Sequence, residues 1–88
     1  MKQREVVIGH RLGLHARVAA KLVQLSTKFK SNIVLFRAEG TAAVEADARS
    51  ILSILFLSAG YGSKLGVRAE GEDEQQALDS ICDYLAAD

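Results

Sequence analysis

The sequence predicts an α+β domain in which a single β-sheet carries its helices on one face, in the order β-α-β-β-α-β-α. Three observations lead there. Apolar residues change period along the chain, from strand-like runs to spacings of three and four and back again. Glycine-bearing segments, at Gly9–Gly13, Gly40, Gly60–Gly62 and Gly71, punctuate those runs. In the last strand-like run, Leu65, Val67 and Ala69 alternate with charged Lys64 and Arg68, which leaves one face of the sheet open to water. The same order also fits a ferredoxin-like sandwich.

Each element has its own reason. Lys2 to Ile8 ends in Val6-Val7-Ile8 and reads as a strand. Gly9-His10-Arg11-Leu12-Gly13 is a loop bracketed by glycines, with His10 a loop side chain lacking a partner motif. From Ala16 a helix is expected, with Ala19, Leu22, Val23, Ser26 and Phe29 on its buried face and Lys28 and Lys30 near its negative end. Asn32 to Arg37 is a second strand, Ala38-Glu39-Gly40-Thr41 a hairpin turn, and Ala42 to Ala46 a third strand. Ser50 is placed to cap a short helix over Ile51–Leu57, which Ser58–Gly62 ends. Ser63 to Ala69 is the last strand, and Glu70-Gly71 turns the chain. Glu72, Asp73 and Glu74 load the start of a final helix with acid, as its dipole prefers, and Leu78, Ile81, Cys82 and Leu85 form its core face.

Size and charge narrow the function. The 88 residues suffice for one domain, spanning 1–88, with a thin core. Lys plus Arg and Asp plus Glu both count 11, which argues against a nucleic-acid binder and gives no reason for attraction to an anionic membrane. No apolar run approaches the roughly 18–20 residues of a membrane span, and the N-terminal residues do not read as a signal peptide, so a cytoplasmic protein is expected. Cys82 stands alone and reads as a core residue in a reducing compartment, and two histidines with one cysteine show no metal-ligand spacing.

Chemistry is concentrated at Gly13-Leu14-His15-Ala16-Arg17, where a strand-like segment gives way to a helix. A histidine just before a helix start sits beside the free N–H groups of the first turn, which hold anions. Imidazole titrates near neutrality, so a neutral nucleophilic fraction is available. Arg17 adds a charge-assisted donor two residues later. Taken alone, His15 would read equally as a capping or surface histidine, and Arg17 as a solvated side chain.

The segment Leu12-Gly13-Leu14-His15-Ala16-Arg17-Val18-Ala19-Ala20-Lys21-Leu22-Val23 resembles the active-site region of the HPr family, the histidine-containing phosphocarriers of the bacterial sugar phosphotransferase system. Ala48 to Ser63, with Arg49-Ser50-Ile51-Leu52 at its start, is similar to that family's regulatory serine region, and the likeness continues through Ala69–Glu74 and the last helix. The resemblance implies an open-faced β-sandwich, a four-stranded antiparallel sheet backed by three helices. It implies that His15 accepts a phosphoryl group on Nδ1 from phosphorylated enzyme I, with phosphoenolpyruvate as ultimate donor, and passes it to enzyme IIA domains. Arg17 and the Ala16 N–H would stabilise the phosphate. No cofactor, metal or catalytic turnover of the protein's own is expected, and the family suggests a monomer.

The resemblance also implies phosphorylation of Ser50 by HPr kinase/phosphorylase, with a transcriptional regulator as a further partner in carbon catabolite regulation. Ser50 as a plain N-cap is compatible with that role. The apolar run of this short helix exceeds what one buried face needs, which suggests a docking patch, and the resemblance implies that it comprises Ile51, Leu52, Leu55 and Phe56, with Arg49, and Ala20 and Gln24 from the first helix; Leu55→Asp should then weaken enzyme I binding and leave the fold intact. Two departures stand out. The family usually has proline where this chain has Val18, which restores an N–H and removes a rigid element. The Phe36–Asp47 hairpin is also longer than usual. Two other readings are a regulatory relative acting through Ser50 with little role in sugar transport, which the retained His15 disfavours, and a small ligand-binding sandwich, which predicts neither motif.

Overall fold

A computed structural model describes residues 1–39 and 42–87. Its elements are β1 (Lys2–Val7), α1 (Ala16–Ser26), β2 (Asn32–Glu39), β3 (Ala42–Asp47), α2 (Ile51–Phe56), β4 (Lys64–Glu70) and α3 (Glu74–Ala86). The strands form one antiparallel sheet in the order β1-β4-β2-β3. This is the expected open-faced α+β sandwich.

Strand alternation builds the core. Leu65, Val67 and Ala69 of β4 and Ile33 and Leu35 of β2 turn to the helix side, where they meet Leu22 of α1, Ile54 of α2 and Leu78, Ile81 and Leu85 of α3, all buried. The opposite face carries Phe36, Arg68 and Glu45. Arg68 pairs with Glu45 at 3.1 Å and places its guanidinium 5.6 Å from the Phe36 ring centre. That ring lies over Gly66, where a Cβ would come within 2.2 Å of it, so the glycine makes room for a cross-strand aromatic cover.

Several sequence expectations are corrected. The helix over Ala16 onward stops at Ser26, with Thr27 as its C-cap, so Lys28 and Lys30 lie past it and Phe29 reaches the core from a turn. Lys28 N–H to Leu25 O and Phe29 N–H to Ser26 O close that turn with three-residue bonds, which end the helix earlier than the apolar spacing suggests. Ala38 and Glu39 belong to β2 and register with Ala43 and Ala42, so the strand runs two residues into the expected turn. Gly40 and Thr41 lie outside the described residues. The strands otherwise differ from expectation by a residue at their ends, and α2 ends at Phe56, with Leu57 as its C-cap.

Asp73 does not do what its position suggests. It stands at the N-cap of α3 but makes no side-chain cap bond. Its carboxylate instead accepts from the Lys30 N–H (2.9 Å), the Ser31 N–H (2.9 Å) and the Ser31 hydroxyl (2.5 Å), pinning the α1–β2 turn to the start of α3. The Ser31 hydroxyl, then the Lys30 amide, hold its carboxyl below the usual carboxylate range. Glu74 is lowered by the Gly71 N–H and the N-terminal ammonium, and Asp79 by Arg4. These carboxyls bind protons more weakly folded than unfolded. Their contribution is therefore complete above an unfolded carboxyl value of about 4 and is lost as pH falls through the lower folded values. Asp73→Asn should accordingly lower the melting temperature at pH 7, and the gap to the parent should close towards pH 2. A gap of constant size across that range would contradict the assignment.

Candidate functional site

His15 is the N-cap of α1, with extended backbone (φ −78°, ψ 177°) and no side-chain cap hydrogen bond. Its carbonyl accepts the first helical bond, from Ala19 N–H at 2.9 Å. The N–H groups of Ala16, Arg17 and Val18 therefore find no acceptor among the described residues and crowd the end of the helix beside the imidazole. The ring is half-buried, neither sealed in the core nor loose. Arg17 is exposed and makes no hydrogen bond or ion pair among the described residues. Such a constellation has a free nucleophile, a positive helix end and an uncommitted guanidinium: it can hold three oxygens around a group bonded to the ring.

The loop before the helix fixes where His15 stands. Gly13 has φ +68°, and a Cβ there would lie 2.6 Å from Ala59 O. Leu14 N–H donates to the same carbonyl at 3.0 Å, so the chain after β1 lies tight against the chain after α2. Val18 is buried beneath, with α1 seated on the core through Ala19 and Leu22. Gly13→Ala should cost about 1–3 kcal/mol of stability through positive-φ strain and the backbone clash. The check is denaturant unfolding, and no loss would show that the loop relaxes freely. His10, a loop side chain without a partner motif in the sequence, has a structural role. Its Nε2 lies 2.8 Å from Tyr84 O, and its ring packs on Tyr84 at 4.8 Å, tying this loop to the end of α3. A carbonyl only accepts, so Nε2 carries the proton.

Ser50 caps α2 as expected: its hydroxyl oxygen accepts from Ser53 N–H at 3.3 Å. The six-residue α2 buries Ile54 and leaves Ile51, Leu52 and Phe56 41%, 70% and 80% exposed. Leu55 is different. It is half-buried and packs against the core, so it is a poor probe of docking alone. Arg49 is exposed, but its guanidinium is committed to the carbonyls of Phe29 (3.0 Å) and Ser31 (3.2 Å) and does not stand free as a docking cation. From α1, Gln24 is exposed and Ala20 half-buried.

Sequence reasoning missed two features of this side of the molecule. Leu12 and Tyr61 are 78% and 66% exposed on the two segments that the Leu14–Ala59 bond joins, so they extend the apolar surface around the site. Leu12, an unneeded apolar residue inside a glycine-bracketed loop, was the signal to follow. The zero net charge also hides a segregation: from Val6 to Ala38 there is no acid, while Arg11, Arg17, Lys21, Lys28, Lys30 and Arg37 all fall there. Counting charge by segment would have found it. Among the described residues no group of three or more His, Cys, Asp or Glu is placed to hold a metal, and no helix is long and apolar enough to cross a membrane.

Among the described residues, this open-faced sandwich offers an unbonded imidazole at a helix start, a geometry suited to carrying a phosphoryl group. The family model for the "PTS HPr component phosphorylation site" matches residues 2–87. Over 85 residues the chain is 40% identical to the phosphocarrier protein HPr of Xylella fastidiosa, covering 97% of this chain and 91% of that one. It is 44% identical over 78 residues to the phosphocarrier protein NPr of Proteus mirabilis, with 89% and 83% covered. The crystal structure of HPr from Bacillus anthracis superposes with a TM-score of 0.84 at 32% identity, covering 96% and 95% of the two chains. The chain belongs to the PTS-HPr family of phosphocarrier proteins.

Proposed function

We propose that this protein accepts a phosphoryl group on Nδ1 of His15 from phosphorylated enzyme I, with phosphoenolpyruvate as ultimate donor, and passes it to enzyme IIA domains serving sugar uptake in the cytoplasm. The observation that carries this is the half-exposed His15 ring beside three N–H groups, none of which, ring or amides, has a hydrogen-bond partner among the described residues. In the transfer, neutral imidazole attacks phosphorus through Nδ1 as the donor's nitrogen–phosphorus bond breaks. The donor, protonated on its other ring nitrogen, leaves as neutral imidazole. His15 keeps its Nε2 proton, and so becomes neutral imidazole again when it passes the group on. The amides of Ala16 and Arg17 and the Arg17 guanidinium steady the phosphoryl charge, and their exposure keeps the group easy to surrender. The test is incubation with enzyme I, magnesium and phosphoenolpyruvate: acid-labile, base-stable phosphate is expected, and its absence would remove the proposal.

Val18 bears on the lifetime of that phosphate. Its amide is one more donor at the helix end than a proline would leave. Val18→Pro should still accept phosphate but lose it about fivefold faster, the worth of about 1 kcal/mol for one hydrogen bond. An unchanged or slower hydrolysis rate would show that this amide takes no part.

Ser50 supports a second layer, control by HPr kinase/phosphorylase and a transcriptional regulator. Its hydroxyl is half-buried at the α2 start and lies beside the exposed Ile51 and Leu52, so a phosphate there would place charge on the docking face. Kinase-dependent, acid-stable phosphate lost in Ser50→Ala is the expected result.

A further inference from the structure

Arg49 precedes Ser50, yet its side chain serves a distant segment. Two carbonyls of the α1–β2 turn, Phe29 O and Ser31 O, accept from its Nη2 at 3.0 and 3.2 Å. Its own N–H is held by Asp47 Oδ1 at 2.9 Å, so its backbone is anchored while the guanidinium reaches across. The same turn is gripped from the other side by Asp73, through Lys30 N–H, Ser31 N–H and the Ser31 hydroxyl. Residues 29–31 thus sit between an acidic clamp and a basic one. The acidic clamp is charge-assisted on a carboxylate made for amide donors. The basic clamp is the looser one: two bonds of 3.0 and 3.2 Å from an exposed guanidinium, against three of 2.9, 2.9 and 2.5 Å to the carboxylate.

We propose that Arg49 is a latch that phosphorylation of Ser50 opens. This rests on the Ser50 reading above. A phosphate on Ser50 carries nearly two negative charges and three acceptor oxygens, one residue from a cation now satisfied only by carbonyl dipoles. Guanidinium prefers bidentate pairing with phosphate, so Arg49 leaves Phe29 O and Ser31 O for the phosphate. The turn after α1 then keeps only the Asp73 grip, and the hold of α1 on the α2 side is loosened. Modification at Ser50 would therefore act in two places. It would charge the docking face and release the far end of the helix that begins at His15. The covalent step itself is ordinary kinase chemistry: Ser50 Oγ bonds to the γ-phosphorus of a nucleoside triphosphate, the diphosphate leaves, and the hydroxyl proton goes to base.

The test uses full-length protein with phosphoserine encoded genetically at position 50, so it does not depend on any kinase. Backbone amide and carbonyl NMR shifts of Phe29, Lys30 and Ser31 are compared in four forms: parent and R49Q, each with and without phosphoserine. Phosphoserine should move these resonances towards their positions in R49Q and should move them no further in the R49Q background. Unmoved resonances at 29–31, with shifts confined to Ser50–Ser53, would overturn the latch; so would equal movement with and without Arg49. The Arg49 Nε–H resonance reads the same event without substitution, shifting with phosphoserine if the latch opens and staying put if it does not. A parallel incubation with HPr kinase/phosphorylase asks separately whether Ser50 is a substrate, and failure there removes the Ser50 reading while the latch is still decided by the encoded form.

Discussion

His15→Ala should abolish phosphate acceptance from enzyme I while leaving the fold and melting temperature close to the parent's. Among the described residues the ring makes no hydrogen bond, and it caps nothing, so its removal costs little structure. It is nonetheless the only group at the helix start with a nucleophilic lone pair, and neighbouring donors cannot stand in for the atom that forms the bond. His10→Ala is the matched control. It removes a ring bonded to Tyr84 O and packed on Tyr84, and so should lower stability while leaving phosphate acceptance in place. Acid-labile phosphate retained in His15→Ala, or lost in His10→Ala with the fold intact, would reverse the assignment. Phosphate counting together with circular dichroism on both variants settles it.

The second large effect is expected at Phe56. Phe56→Asp should weaken binding of enzyme I about thirtyfold, corresponding to about 2 kcal/mol for an aromatic anchor, with the unfolding midpoint hardly changed. Its side chain is 80% exposed and contributes little to the core. Leu55→Asp is expected to behave differently, because Leu55 packs against the core and a charge there is partly desolvated. It should lower stability first, and any loss of binding would follow from that. Titration calorimetry beside thermal unfolding separates the two. Equal affinity for the parent and Phe56→Asp would remove the exposed apolar turn of α2 from the docking surface.

Much of this was legible in the sequence, for reasons tied to particular residues. The alternation Leu65, Val67, Ala69 against Lys64 and Arg68 specified β4 and its faces, because a one-residue slip would put charges in the core. Gly13 and Ser50 marked the starts of α1 and α2, since positive φ and side-chain capping are local effects. What failed was long-range. Asp73 looks from sequence like an acid for its own helix, and only tertiary placement gives it Ser31 and Lys30 as better donors. Arg49 looks like a free basic neighbour of Ser50, and only the fold brings Phe29 O and Ser31 O within reach. His10 likewise gains its partner from a helix 74 residues away. Leu55 joins Leu52 and Phe56 only through the family resemblance, and a six-residue helix beside a sheet has too few turns for periodicity to separate its faces.

We propose above all that the phosphoryl group is carried on Nδ1 of His15, beside the amides of the α1 start. Phosphorus–nitrogen correlation NMR on uniformly ¹⁵N-labelled protein, after reaction with enzyme I and phosphoenolpyruvate, observes that bond itself. One ³¹P signal coupled to Nδ1 of His15 is expected, with the amide protons of Ala16 and Arg17 shifted downfield. Coupling to Nε2, phosphate on His10 or on a hydroxyl, or unmoved Ala16 and Arg17 amides would refute the assignment.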